Sequence, residues 1–530
     1  MRGSIYHSSD RKLKKMPQER SGQLKILFVS AEVAPFSREG GLSQVSYFLP
    51  QALRRQGVDV RVFTPKYGTV VDQDYDLQML VEGMEVPTGD PEGKHGPSKL
   101  ICNVKTTSLD TTAPLYVYFL ENREYYELRN NVYGYSDDHI RFALLSQAVV
   151  EFIKTGEFVP DIIHCNDWHT GYLVNMIHHE RQTNPKFAKI ATLLSIHNLY
   201  QGNFNFSRAS QMDYDDGKSP LAPFFAKQFQ KQNALKRGIM FADRINTVSE
   251  KYARELMTEQ YGGELHKLLK ELRGKLSGIL NGLDYTEFDP ATDTIIKKTY
   301  TPGDMAGRID DKKDLQREFD LDQDPNVPII GISGRLDRQK GLDLVLETIE
   351  FLLKELNVQL VVMGSGEEDY VRLFEKLEKE YPGRVGTHLM PDFILPRKIF
   401  AGADIILMPS YYEPGGIVAI EAMRYGAVPV ARATGGLADI VEDFDPTTKK
   451  GTGFIFKEFS KESFIVAVVR ALEAYKRQES WKGIVKRAMS QDYSWDNVAS
   501  KYIDLYGRTL DFRREATSLN PGSTYRQRVV

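Results

Sequence analysis

Apolar residues fall along this chain in short uniform runs separated by helically spaced stripes. The run KILFVS at residues 25–30 has the composition of a parallel strand buried on both faces. A loop follows, and then Leu42, Val45, Leu49, Ala52 and Leu53 recur at three- and four-residue spacing. That spacing predicts an amphipathic helix opened by Gly40-Gly41-Leu42 and ended by Gly57. VDVRVFTP resumes strand character, and PLYVYFL (114–120), DIIHCN (161–166) and ATLLSIHN (191–198) predict further strands with helical patterns between them. The plan restarts after residue 300. PIIGISG (328–334) reads as a buried strand, and Leu342, Val345, Ile349, Leu352, Leu353 and Leu356 mark the helix after Gly341. QLVVMGSG (359–366), ADIILMPS and AVPVARA continue the alternation. Two such halves predict an α/β fold of two facing Rossmann-like domains, residues 23–290 and 300–490, with a linker near 284–304 and a ligand in the cleft between them.

Composition narrows the function classes. The chain has 530 residues, 41% hydrophobic and 27% charged, enough for two real cores. A net charge of −3 leaves no electrostatic footprint for nucleic acid or an anionic membrane. No 18-residue apolar run predicts a membrane span. Two cysteines, Cys102 and Cys165, exclude a disulfide framework and fit a reducing cytoplasm. The basic start, MRGSIYHSSDRKLKKMPQER, lacks an apolar core, so residues 1–22 are expected to be a disordered tail, with an organelle transit segment as the alternative. Residues 513–530 are expected to be disordered as well.

Candidate chemistry sits on the loops after the predicted strands. Gly40-Gly41 exposes amides that suit a phosphate or a sugar hydroxyl, although a tight turn alone also explains the pair. In GRLDRQKGLD (334–343), Arg335 and Lys340 are placed to neutralise a leaving diphosphate, the guanidinium by its fork and the ammonium as a point charge. HCNDWH (164–169) clusters His164, Asp167 and His169 in a spacing that matches no zinc pattern, so Asp167 is read as a polar group of the cleft. His197 ends another strand. In PSYYEPGGIVAIEAMRYGAVPVARATGGLADIV (409–441), the Glu413 carboxylate can accept bonds from sugar hydroxyls while the Gly415 and Gly416 amides donate. Glu421 lies two helical turns beyond Glu413, within reach of a second part of the same ligand. Asp213, Asp215 and Asp216 in MDYDDG are read as solvated surface, and no metal site is expected.

From residue 24 to 510 the ordered blocks together resemble the glycogen and starch synthase family: KILFVSAEVAPFSREGGLSQV, NDWHTG, SIHNLYQGNF, LKRGIMFADRINTVSEKYAREL, LSGILNGLDYTEFDPATD, GRLDRQKGLD, EPGGIVAIEAMRYGAVPV, TGGLADIV and Ser494-Trp495. The resemblance implies the glycosyltransferase B-type fold, with a final helix, residues 494–512, crossing back to the first domain. It implies a retaining transfer of glucose from ADP-glucose or UDP-glucose to an α-glucan, without a metal or other cofactor. It also implies that Arg335 and Lys340 hold the diphosphate, Glu413 and His197 grip the donor glucose, and Asp167 and Asn281 line the site; at Glu421, where bacterial glycogen synthases commonly lack an acid, the chain instead resembles the wider group of retaining transferases whose second acid binds the nucleotide ribose. Arg38, Gly40, Gly41, Asn198, Gly415, Gly416, Thr434 and Gly435 join them as substrate-binding candidates. Several positions depart from the family pattern. Arg38 replaces a lysine, Gln44 an acid, Gly415 a cysteine, and Pro391 an aromatic residue that packs the base. A retaining transferase with another sugar acceptor and a non-catalytic glucan-binding regulator are the alternative readings.

Overall fold

The computed structural model describes residues 22–109, 113–199 and 215–518. The first domain is built on β1 (Lys25–Val29), β2 (Asp59–Pro65), β3 (Gln78–Pro87), β4 (Lys99–Leu109), β5 (Leu115–Glu121), β6 (Ile162–Asn166), β7 (Ala191–Ile196), β8 (Arg244–Thr247) and β9 (Leu276–Gly278). Their order in the sheet is β3-β4-β5-β2-β1-β6-β7-β8-β9. The second domain holds β10 (Ile329–Ser333), β11 (Gln359–Met363), β12 (Val385–His388), β13 (Ile405–Met408), β14 (Val428–Arg432) and β15 (Phe454–Phe456), in the order β12-β11-β10-β13-β14-β15. All pairings in the second sheet are parallel, and in the first only β3–β4 and β4–β5 run antiparallel.

The uniform apolar runs are explained by burial on both faces. In β1, Leu27 and Val29 pack into the core on one side of the sheet and Ile26 and Phe28 into the core on the other. The β3–β4 hairpin is absent from the predicted strands for the opposite reason. It is an edge, Met79 and Ile101 remain exposed, and its polar face masks the strand pattern. In each sheet the winding reverses once, between β1 and β6 and between β10 and β13. Loops at the carboxyl ends of those strands therefore border a crevice; Arg38, Asp167, Arg335, Lys340 and Glu413 lie on them, while His197 follows the neighbouring β7 and Thr434 the neighbouring β14.

The chain passes between domains twice, side by side. The Leu283 amide donates to the Tyr493 carbonyl at 2.8 Å, and Leu283 bridges Ser494. Gly282 is required there, because a Cβ on it would meet the Trp495 ring at 2.7 Å. The helix Trp495–Ser518 then lays Trp495, Val498, Tyr502, Leu505 and Tyr506 onto the first-domain core beside Ile26, Phe28 and Leu49. This crossover helix runs past the expected boundary at 512. Residues 513–518 are helical rather than disordered, anchored by Arg513 donating to the Ala188 carbonyl at 3.0 Å. The rest of both expected tails, residues 1–21 and 519–530, lies outside the described residues.

A second correction concerns MDYDDG. Asp215 is buried, not solvated: its carboxylate takes both nitrogens of the buried Arg237 fork, at 2.8 and 2.9 Å, and the Asn233 amide at 2.7 Å. Bidentate pairing is what allows a carboxylate to stay charged out of water. Asp216 is exposed as expected, and Asp213 lies outside the described residues.

Candidate active site

The first-domain wall is set by the ends of β6 and β7. Asp167 follows β6 with φ +55°, a left-handed conformation that costs a non-glycine residue about 1–3 kcal/mol. Its amide donates to the Ser195 carbonyl at 2.8 Å, and its Oδ1 accepts the His197 amide at 2.7 Å, so the two strand ends hold one another. His197 Nε2 lies 2.9 Å from Asn166 Oδ1. The Asn166 amide group donates to the Val29 carbonyl at 2.9 Å, so its oxygen is left to accept and the imidazole carries its proton on Nε2. Nδ1 is thereby an acceptor, buried and without a partner among the described residues. Burial pushes the His197 pKa down to about 4, so the ring is neutral near pH 7. Asn198 continues this loop, half-buried.

His164 and His169 do not join them. His164 faces the crossover helix, with Nδ1 2.8 Å from the Tyr506 hydroxyl and Nε2 2.7 Å from Ser195 Oγ. His169 is buried among Tyr133, Phe142 and Trp168. Among the described residues no group of three His, Cys, Asp or Glu side chains is placed to hold a metal ion.

The second-domain wall carries charge. After β10, Asp337 accepts the Lys340 amide at 3.1 Å, and Gly341 turns the chain with φ +71° into the helix Leu342–Glu355. A Cβ on Gly341 would lie 1.9 Å from the Pro409 carbonyl, which is why the loop after β10 can lie against the loop after β13. Lys340 Nζ consequently reaches Glu413 Oε2 at 2.7 Å, and Ser410 Oγ donates to the same oxygen at 3.1 Å. Arg335 is 62% exposed, pairs with Asp337 at 3.0 Å and donates to Gln339 at 2.8 Å.

Glycines bring the two walls close. Gly40 and Gly41 open the first helix, and the Gly40 and Glu39 amides donate to Glu32 Oε2 at 3.2 and 2.8 Å. Burial raises the Glu32 pKa to about 7, against the pull of those amides. A Cβ on Gly41 would lie 3.6 Å from Ile417 Cδ1 of the opposite domain, and one on Gly415 3.0 Å from Asn281 Nδ2. The absence of the family's cysteine at 415 thus coincides with a close approach of Asn281. Gly416 has φ +65° and starts the helix Ile417–Arg424, which carries Glu421. Burial raises the Glu421 pKa to about 7, with Arg397 opposing the shift. Arg38 is exposed at the cleft loop. Thr434 and Gly435 are occupied differently. The Thr434 hydroxyl and the Gly435 amide both donate to the Glu255 carboxylate of the first domain, at 3.2 and 3.0 Å. Beside Pro391, the side chain of Phe393 is 87% exposed.

Asn166, Glu32, Ser410, Asp337 and Glu255 were not singled out in the sequence. Asn166 and Glu32 had a legible signal, each being a polar residue at the end of an otherwise apolar strand run. Glu255 had none, since a helical acid reads as surface until its partner is known.

Comparison with known proteins gives the family and the fold. A family model described as the starch synthase catalytic domain matches residues 25–271, and one described as glycosyl transferases group 1 matches residues 313–487. A glycogen synthase of Lactobacillus acidophilus is 38% identical over 92% of this chain and 100% of its own length. One of Geotalea daltonii is 39% identical over 92% and 99%. The solved catalytic domain of starch synthase IV from Arabidopsis thaliana, bound to ADP and acarbose, superposes with a TM-score of 0.78 at 30% identity, covering 92% of this chain and all of that one. Relatives of this identity that cover nearly the whole chain, two family models and a solved fold of the same kind show the family: the chain belongs to the glycogen and starch synthase family of retaining glycosyltransferases.

Proposed function

We propose that the enzyme takes glucose from ADP-glucose and adds it, with retention, to the non-reducing end of an α-1,4-glucan, UDP-glucose being the alternative donor. The observation that carries this reading is the Lys340–Glu413 pair, which joins the loops after β10 and β13, with Arg335 on the first of those loops. The ADP bound to the related starch synthase IV supports an adenine nucleotide, and its acarbose supports a sugar ligand.

In this reading the donor diphosphate enters beside Arg335 and Lys340 and draws Lys340 away from Glu413. The released carboxylate accepts bonds from glucose hydroxyls, and His197 Nδ1 accepts another. The Gly415, Gly416 and Gly41 amides donate to sugar and phosphate oxygens, with Arg38 beside them and Gly40, held by Glu32, turning the loop toward the ligand. Glu421 meets the ribose; Asp167, Asn198, Asn281, Thr434 and Gly435 shape the surrounding wall. As the sugar–phosphate bond breaks, charge grows on the diphosphate, where two fixed cations stabilise it more than they stabilise the bound donor. The acceptor hydroxyl attacks from the same face, and the leaving phosphate oxygen takes its proton. With both cations supplied by the protein, activity is expected to survive EDTA. The curated relatives being bacterial enzymes, we assign the reaction to the cytoplasm.

Purified protein incubated with glycogen and radiolabelled ADP-glucose or UDP-glucose tests the proposal. Label is expected in α-1,4-linked glucan, more from ADP-glucose. Folded protein that incorporates label from neither donor overturns it.

A further inference from the structure

Two short helices on opposite sides of the cleft close on each other end to end. Glu250–Glu255 belongs to the first domain and Gly435–Ile440 to the second. At one end the Glu255 carboxylate accepts the Gly435 amide at 3.0 Å and the Thr434 hydroxyl at 3.3 and 3.2 Å. At the other end Asp439 Oδ2 accepts the Lys251 amide at 2.8 Å, and Arg254 Nη2 lies 3.9 Å from Asp439 Oδ1. Each helix thus gives its first turn's amide to an acid near the far end of its partner. Backbone amides at a helix start have no partner within their own helix, so each acid satisfies a donor that the facing helix leaves open. The pairing joins one domain to the other across the cleft.

Glu255 is 6% exposed, too buried for an incidental surface contact. Burial raises its pKa, while the Gly435 amide, Lys251 and the Thr434 hydroxyl favour its charged form. The contact is also one step from the proposed chemistry. Gly435 has φ +45°, and a Cβ there would lie 2.0 Å from the Glu413 carbonyl. The next amide, Gly436, donates to that same carbonyl at 2.8 Å and to the Pro414 carbonyl at 3.1 Å. Whatever seats Thr434-Gly435-Gly436 therefore also seats the backbone that presents Glu413.

We propose that Glu255 is a positioning residue for the transfer reaction: by docking on Thr434 and Gly435 when the domains close, it sets the Glu413–Pro414 loop in its reactive position. The inference rests on the transferase reading above. On opening, the carboxylate regains water and the second-domain loop loses its brace, so the site is assembled only around bound donor.

The test uses the full chain, ADP as the probe of closure in small-angle X-ray scattering, and the labelled-glucan assay for rate. Wild type is expected to contract with ADP. Glu255→Ala is expected to lose about 10- to 100-fold in kcat, with a smaller change in donor KM, and to contract less. Glu255→Gln keeps an acceptor oxygen for the Gly435 amide and is expected to recover most of the rate; a role in stability alone would not couple rate to contraction. If Glu255→Ala does not fold, Thr434→Val and Asp439→Ala read the same helix pair from the second domain, with expected losses of a few-fold in kcat and reduced contraction. Wild-type kcat and contraction in the folded variants overturn the proposal. An inactive wild type that still contracts with ADP instead overturns the transferase reading.

Discussion

The two walls of the cleft are built on the same strand–loop–helix unit, yet they hold different kinds of group. On the first-domain wall Asp167 is 1% exposed, His197 is neutral, and both are fixed by backbone bonds between neighbouring strand ends. On the second-domain wall Arg335 is mostly exposed and Lys340 and Glu413 neutralise each other. The first wall is held in place by bonds between its own strand ends; its cost is backbone strain at Asp167. The second wall keeps its charges usable by pairing them until a diphosphate and a sugar replace the pair. Shape is thus preset on one side and charge is exchanged on the other.

Four measurements would break or sharpen this contrast. Glu413→Ala should fold and lose kcat by about 10²–10³, since a preorganised polar group at the reacting centre is removed. Near-normal kcat would take Glu413 out of the site. Lys340→Ala and Arg335→Ala should each cost about 10² in kcat, with Lys340→Ala the larger because it also frees Glu413. The double variant should fall short of the product, because both cations serve one developing charge, and Arg335→Lys should recover only part, having lost the fork. Steady-state kinetics showing changes in KM alone would make them anchors rather than catalysts.

On the other wall, His197→Ala should cost about 10-fold in kcat/KM, by loss of one hydroxyl contact. Because burial holds the His197 pKa at about 4, the wild-type pH–rate profile should show no histidine inflection above pH about 6. An inflection near 6.5 that vanishes in the variant would show the imidazole to be solvated. The smallest effect is thermodynamic. The Glu421 carboxyl, at 4.5 when free, rises to about 7 in the fold, so it contributes stability below pH 4.5 that is lost as pH climbs through 7. Glu421→Gln should flatten the fall in melting temperature between pH about 4.5 and 7; parallel curves for the two proteins would mean that Glu421 is ionised throughout.

Much of this was legible in the sequence. Strands buried on both faces announce themselves as uniform apolar runs, and the glycines at 341 and 415–416 mark where backbones approach or turn left-handed. Lys340 and Glu413 could be assigned to loops of one crevice, although 73 residues separate them. What could not be read depends on distance between domains. Nothing in YAREL says that Glu255 faces Thr434, and nothing in MDYDDG distinguishes Asp215, which has Arg237, from Asp216, which has water. The end of the crossover helix was set too early because DFRREATS is polar on most faces, and its anchor, the Ala188 carbonyl, lies elsewhere in the chain.

The recrossing helix also bears on how the protein is made. A ribosome that has added residue 290 has produced every strand of the first sheet among the described residues, but not the cover for one of its faces. Ile26, Phe28, Leu49 and their neighbours stay uncapped until Trp495, Tyr502 and Tyr506 emerge, some two hundred residues later. During that interval the whole second domain is synthesised and can fold from its own contiguous sequence. The domain begun first is therefore the domain finished last, and a chain cut short before residue 495 would carry an open apolar face that a chaperone or protease can recognise.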